Sequence, residues 1–400
     1  MKKLIIFIAI LFIGRTSFGQ TESEYYKGPT DTLFDSKTLN EKREITVILP
    51  RTFCKENASK YPLIIVFDRQ NKKIFREIFE SINYLTSFSE MPESVIIGIS
   101  SKTNKRYIET SFKASEENGQ AEKLIGFLYN ELIPWATNNF YCSNMKIFIG
   151  HSRFGYFTSY LLSNKINDLT GVISCSPFFF QTNVNLVDSL KRTLNQTKLD
   201  HTVYYRFITG DSVTDSKKDY DLMKLNLEQL KNIENFNWKG FGYYNAMHMA
   251  VPGLGVMPAL LEIFDYWSDE MNKVLSEPTI IFNRAENELF KYKMKLHYGT
   301  QIGLGIGNIN GIAYKYYNTK KYADARFTWE ILLEQYPLFT DSRIRIADTY
   351  VYENKKPEAI KNYKMAIQDL NTYSVYHFYT SKEKEELMAE IEEKLSKLCK

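Results

Sequence analysis

Histidine and cysteine are both scarce in this 400-residue chain. There are five histidines (His151, His201, His248, His297, His377) and four cysteines (Cys54, Cys142, Cys175, Cys399). The cysteines form no CxxC and the histidines no ligand-spaced pair, so a metal centre is not expected. An excess of one charge is also lacking: Lys and Arg number 51, Asp and Glu 47, a balance of 51 − 47 = +4. So small a surplus gives no reason to expect nucleic acid or a membrane surface as partner. No glycine-rich phosphate loop is present, and no cofactor is expected. Past the first residues, no segment is long and apolar enough to span a bilayer. The hydrophobic share of 44% and charged share of 24% are those of a globular chain. They exclude a disordered, collagen-like or polytopic membrane protein. The length suits two or three domains at about 150 residues each.

The N-terminus reads as a targeting segment. Lys2 and Lys3 precede an apolar run over 4–13, and Ser17-Phe18-Gly19 gives a small-x-small cleavage pattern before Gln20. The run is too short for a transmembrane helix and suits a signal peptide over 1–19; an uncleaved anchor is the alternative. No Cys follows the pattern, so no lipid anchor is expected. The mature chain is expected to be exported, periplasmic or secreted, with no membrane span. Export permits a disulfide, but the sequence cannot pair the cysteines, and Cys175 reads as a small buried hydrophobe.

Over 20–276, strand and helix patterns alternate. Continuous apolar runs at 63–67, 95–99, 147–149 and 171–173, with 45–49 and 204–209, read as strands, most of them buried on both faces. Helical patterns lie between them, among them 122–135, and a last one at 257–271 carries Leu260, Ile263, Phe264 and Trp267 on one stripe. Such alternation predicts an α/β fold, a mostly parallel sheet flanked by helices. Over 277–400 the strands stop. A 34-residue repeat relates Ile312-Ala313 to Ile346-Ala347, Tyr316 to Tyr350, Ala325 to Ala359 and Trp329 to Tyr363, and Pro337 closes the first unit. This resembles the tetratricopeptide repeat and predicts a small all-α domain. Two repeats are too few to stand alone, so neighbouring helices must cap them. The charged stretch 382–397 reads as a solvated capping helix.

Gly150-His151-Ser152-Arg153-Phe154-Gly155 joins the 145–149 strand to a helical pattern at 156–162. A sharp strand-to-helix turn lifts a serine hydroxyl above the sheet and aims the first helix N–H groups, Arg153's among them, at the same spot. Acyl transfer needs both a nucleophile and donors for the oxyanion. Of the downstream histidines, His297 and His377 read as ordinary helix residues and His201 as a surface residue. His248 lies in a loop after the strand-like 236–243, at the carboxyl edge of the sheet, and is the candidate base. The acid should lie between Ser152 and His248, just after a strand. Asp211, nearest the end of the 204–209 strand, is the first choice and Asp215 the rival. Asp188, Asp200 and Asp219 read as solvated. The order Ser, Asp, His is that of α/β-hydrolases.

Residues from about Arg43 to Asp269 resemble the putative-esterase family that includes enterochelin esterase and S-formylglutathione hydrolase-like enzymes. The matching stretches are Tyr61-Pro62 leading into Val66-Phe67-Asp68; 106–110, from Arg106 to Thr110; 127–134, from Phe127 to Pro134; Gly150-His151-Ser152; Ser174-Cys175-Ser176-Pro177; and His248 with Val251-Pro252. A tetratricopeptide-like tail occurs in some secreted bacterial members. The resemblance implies an α/β-hydrolase fold and serine ester hydrolysis, with Ser152 as nucleophile and His248 as base. It also implies a backbone oxyanion donor after the first central strand, here Arg69 or Gln70. Two positions depart from the family: Phe154 stands where Gly is usual, two residues after the serine, and Arg69 stands where Gly follows Asp68.

Two functions follow as expectations. One is an exported esterase acting on a small-molecule or glycan-linked ester, such as a siderophore trilactone, a polysaccharide acyl group or a small acyl ester. Phe178, Phe179 and Phe180 would line its pocket or pack its core. The other is a catalytically impaired hydrolase-like scaffold that binds a protein partner through its helical tail. Phe154 and Arg69 favour the second.

Overall fold

The computed structural model describes residues 25–230, 233–277, 279–372 and 379–399. The expected signal peptide and His377 lie outside them. In chain order the first part comprises β1 (Thr30–Ser36), β2 (Glu41–Ile48), β3 (Tyr61–Phe67), α1 (Lys72–Ser87), β4 (Val95–Ile99), α2 (Arg106–Glu109), α3 (Ala121–Phe127), α4 (Ile133–Phe140), β5 (Cys142–His151) and α5 (Arg153–Lys165). It continues with β6 (Gly171–Cys175), a small hairpin of β7 (Phe180–Gln181) and β8 (Val184–Asn185), α6 (Leu186–Gln196), β9 (Val203–Thr209), α7 (Lys217–Gln229), β10 (Phe236–Gly242) and α8 (Val251–Ser276). The tail is helical: α9 (Arg284–Tyr298), α10 (Ile306–Asn318), α11 (Tyr322–Gln335), α12 (Asp341–Tyr352), α13 (Lys356–Thr372) and α14 (Ser381–Cys399).

Eight strands form one sheet in the order β1-β2-β4-β3-β5-β6-β9-β10. The β1–β2 and β2–β4 pairs are antiparallel and the rest parallel. The apolar runs of β3, β4, β6 and β9 are buried along their whole length, because alternate residues feed two separate cores. Ile64, Val66, Ile96, Ile147 and Ile173 pack under α1 and α8. Leu63, Ile65, Phe67, Ile97, Phe148 and Val172 pack under α3 to α7. Each of the expected strands is present. β1, an edge strand with Leu33 63% exposed, had no apolar pattern to announce it. The helix expected over 122–135 is broken into α3 and α4 by a π-helical turn at Leu128–Leu132. Pro134 has no N–H for the usual bond one turn back, and the backbone widens just before it.

The tail does not stand apart. Phe290, Met294, Tyr298, Ile309 and Trp329 of α9 to α11 belong to the same core as α1 and α8. Only α12 to α14 have a core of their own, around Ile344, Ala347, Ala359, Tyr363 and Ile391. The small residues of the 34-residue pattern, Ala313, Ala325, Ala347 and Ala359, are all buried. Among the described residues no helix is long and apolar enough to cross a membrane.

Candidate active site

Ser152 sits at the turn between β5 and α5 with φ 59 and ψ −117, a backbone that non-glycine residues rarely adopt. Two hydrogen bonds hold it there. Its N–H donates to the Cys175 carbonyl at 2.8 Å, and its carbonyl accepts from the Tyr156 N–H at 3.0 Å. A Cβ on Gly150 would lie 2.2 Å from the Phe154 carbonyl oxygen, so only glycine admits the turn there. Gly155 brings α5 close to β6: a Cβ would lie 2.8 Å from the Cys175 carbonyl. Phe154 does not open the turn. Its ring is buried and stacked on Phe67, centroids 4.8 Å apart. Gly155, three residues after the serine, thus provides the close approach of α5 to the sheet that Phe154 does not.

His248 Nδ1 donates to Asp215 Oδ1 at 2.8 Å; the Asp215 side chain is 1% exposed. The other Asp215 oxygen accepts the Ser212 N–H at 3.2 Å. Of the two candidate acids, Asp215 is the one whose carboxylate lies against His248. Asp211 is exposed, and its N–H donates to the Ala246 carbonyl at 2.8 Å. It fastens the loop that carries His248 while its carboxylate stays in solvent. A reverse turn, with the Asp215 N–H on the Ser212 carbonyl, carries the second aspartate back under the imidazole.

Of the two candidate oxyanion donors after β3, the Arg69 N–H is already engaged. It donates to the Ile99 carbonyl at 3.1 Å, and the Arg69 guanidinium runs to Glu44, Asp31 and Thr46, away from the site. Asp68, with φ 62, turns the chain so that Gln70 borders the cleft. The Gln70 side chain is pinned by Asp68 Oδ1 and the Ser101 N–H, each at 2.8 Å. Its backbone N–H has no partner among the described residues. Arg153, the first residue of α5, has no intrahelical partner for its N–H either. The Arg153 side chain clamps the 107–111 segment through Thr110 and Ser111.

Ser152 and His248 open onto one cleft of about 760 Å³, shared with Asp68, Gln70, Arg106 and His151. The Ser152 hydroxyl has no hydrogen bond to the His248 ring among the described residues; such bonds commonly tighten only around substrate. Two neighbours had no assigned role in the sequence. Arg106 forms a bidentate pair with Asp68 and donates to the His151 carbonyl at 3.1 Å. His151, 5% exposed, donates from Nε2 to the His248 carbonyl at 3.0 Å. Burial, and then the nearby His248, push the His151 pKa down to about 4, so it stays a neutral donor. Its position next to the serine was the only signal in the sequence.

The remaining candidates are structural. His297 stacks on Tyr266 and bonds the Tyr204 hydroxyl. His201 meets the Leu169 carbonyl. Phe179 is core and Phe178 stacks on Tyr156. All four cysteines are unpaired. No metal-binding cluster occurs among the described residues.

Residues 36–221 match the family model described as Putative esterase. No curated protein matches. Among solved structures, an uncharacterised protein from Capnocytophaga ochracea DSM 7271 aligns over 93% of this chain and 99% of its own, at 15% identity and TM-score 0.57. An IroE-like serine hydrolase from Shewanella oneidensis aligns over 75% and 98%, at 14% identity and TM-score 0.60. The BES protein from Bacillus cereus aligns over 61% and 96%, at 17% identity and TM-score 0.50. These likenesses are of fold: a mostly parallel α/β-hydrolase sheet, followed in this chain by a helical C-terminal region. The match to the putative-esterase model covers residues 36–221, which hold Ser152 and Asp215 and stop short of His248.

Proposed function

We propose that this protein is an exported serine esterase with a Ser152–His248–Asp215 triad. The observation that carries the reading is a buried carboxylate holding His248 Nδ1 at 2.8 Å in the cleft that Ser152 enters from a strained turn. His248 Nε2 takes the hydroxyl proton as Ser152 Oγ attacks the ester carbonyl. Asp215 keeps the tautomer and stabilises the imidazolium. The backbone N–H groups of Arg153 and Gln70 receive the oxyanion. The imidazolium returns the proton to the departing alcohol, leaving an acyl-serine. Water, deprotonated by His248, then releases the acid and restores Ser152.

Siderophore lactones, glycan-linked acyl groups and small acyl esters remain the substrate candidates. Residues 20–276 would form the hydrolase domain. Residues 277–400 would form a tetratricopeptide-like tail open to a protein partner. The two features that favoured an inactive scaffold lose their force: the Phe154 ring is stored in the core, and the Arg69 side chain points away from the cleft. The test is p-nitrophenyl acetate turnover. Wild type should exceed the Ser152→Ala variant by at least about 1000-fold; equal rates would remove the nucleophile.

A further inference from the structure

The wall of the cleft is unevenly charged. Lys72, Lys73 and Arg106 line it, against a single acid, Asp68. Asp68 is consumed by the bidentate pair with Arg106, with its side chain 6% exposed. Lys72 and Lys73 are exposed, and neither closes an ion pair among the described residues. They also occupy the first turn of α1, which holds no acidic residue. Like charge at the positive end of a helix dipole costs stability there, and local rules are commonly broken where function requires it. Asp215 lies behind the His248 ring and is nearly inaccessible, so it does not offset the cations for a molecule in the cleft. Several nearby cations are paired: Arg43 with Glu109, Lys105 with Glu41, Arg69 with Glu44 and Asp31. The net surplus of the whole chain is small, so the excess in the cleft is local.

We propose that the cleft selects esters carrying a negative charge, a carboxylate or phosphate within reach of Lys72 and Lys73. This rests on the esterase reading for turnover but not for binding. Charge focused in a cleft of low dielectric raises both encounter rate and affinity for the opposite sign, and salt weakens both.

The test uses three aryl acetates with the same reacting bond: 4-acetoxybenzoate (anionic), 4-acetoxybenzamide (neutral) and 4-acetoxybenzyltrimethylammonium (cationic). Each rate is divided by that ester's own alkaline hydrolysis rate. At low salt, wild-type kcat/KM should favour the anion over the amide by tenfold or more, and the preference should shrink as salt is added. In the Lys72→Glu/Lys73→Glu variant, checked for folding by its thermal melt, the order should reverse towards the cation. All three esters cleaved without charge preference, or an order unmoved by the double variant, would overturn the proposal while leaving the esterase reading intact. Binding to the Ser152→Ala variant by calorimetry covers the converse case. There 4-acetoxybenzoate should bind at least tenfold more tightly than the amide, whether or not wild type turns over. Equal binding would overturn the proposal by itself.

Discussion

A neutral imidazole accepts a proton at the nitrogen that carries none, and Asp215 Oδ1, 2.8 Å from His248 Nδ1, keeps the hydrogen on Nδ1 and leaves Nε2 to accept. Asp215→Asn should therefore lower kcat by about 10⁴-fold, as loss of the orienting carboxylate does in serine hydrolases, with KM little changed. Asp211→Asn should stay near wild type, because its backbone N–H, not its carboxylate, fastens the loop. Comparable losses in both variants would return the assignment to Asp211. His151 adds a pH signature. Its pKa of about 4 in the folded protein lies below the ordinary value of about 6.5. Between those values the unfolded chain binds a proton that the folded one refuses. The stability it contributes is thus present above about pH 6.5 and lost as pH falls towards 4. His151→Gln, which keeps an N–H donor, should flatten that acid slope in melts between pH 4.5 and 7 and keep most of kcat. His151→Leu should flatten the slope equally but lose kcat, since the His248 carbonyl is left unpaired. A slope equal to wild type in both variants would contradict the account. At this scale Ser152 and His248 were easy to find: few histidines compete, and the glycines mark the turn. The choice between Asp211 and Asp215, or Arg69 and Gln70, was not legible. It depends on a tight turn at 212–215 and on the left-handed backbone of Asp68, neither of which leaves a residue pattern.

The elements were legible in proportion to how fully they are buried. β3, β4, β6 and β9 are buried along their whole length and their apolar runs could be read directly; β1 is exposed along most of its length, has one neighbour, and left little trace. The split of the 122–135 helix hinges on one missing N–H at Pro134. The turn between β5 and α5 gives the sharpest test of how element geometry supports the site. Gly150→Ala sets a methyl 2.2 Å from the Phe154 carbonyl oxygen. It should cost about 1–3 kcal/mol in urea unfolding and abolish ester turnover, because the backbone must shift where the nucleophile sits. Gly311 in α10 has nothing within 4 Å of such a methyl, so Gly311→Ala should instead stabilise the protein by about 1 kcal/mol. Equal effects of the two substitutions would show that the turn is not sterically closed.

Across the whole molecule, the sequence break near residue 276 marks the end of α8, but the core runs past it. The Tyr298 hydroxyl donates to the Ile263 carbonyl at 3.0 Å and accepts from the Trp267 N–H at 3.2 Å. The Ala58 N–H donates to the Gln335 carbonyl at 3.1 Å. A chain ending at 276 would expose Phe264, Trp267 and Met271, each at most 5% exposed in the full protein. It should lose cooperative melting and near-ultraviolet dichroism. A chain ending at 340 keeps α9 to α11 and should retain both. A cooperative melt of the shorter chain matching the full protein would show that the tail is dispensable to the core.

The most direct measurement is labelling by a fluorophosphonate that reacts only with activated serines, followed by mapping of the modified peptide. Wild type should be labelled at Ser152 within minutes, Asp211→Asn at a similar rate, Asp215→Asn far more slowly, and Ser152→Ala not at all. A wild-type protein that melts cooperatively yet takes up no probe, or one labelled equally well after Ser152→Ala, would contradict the account.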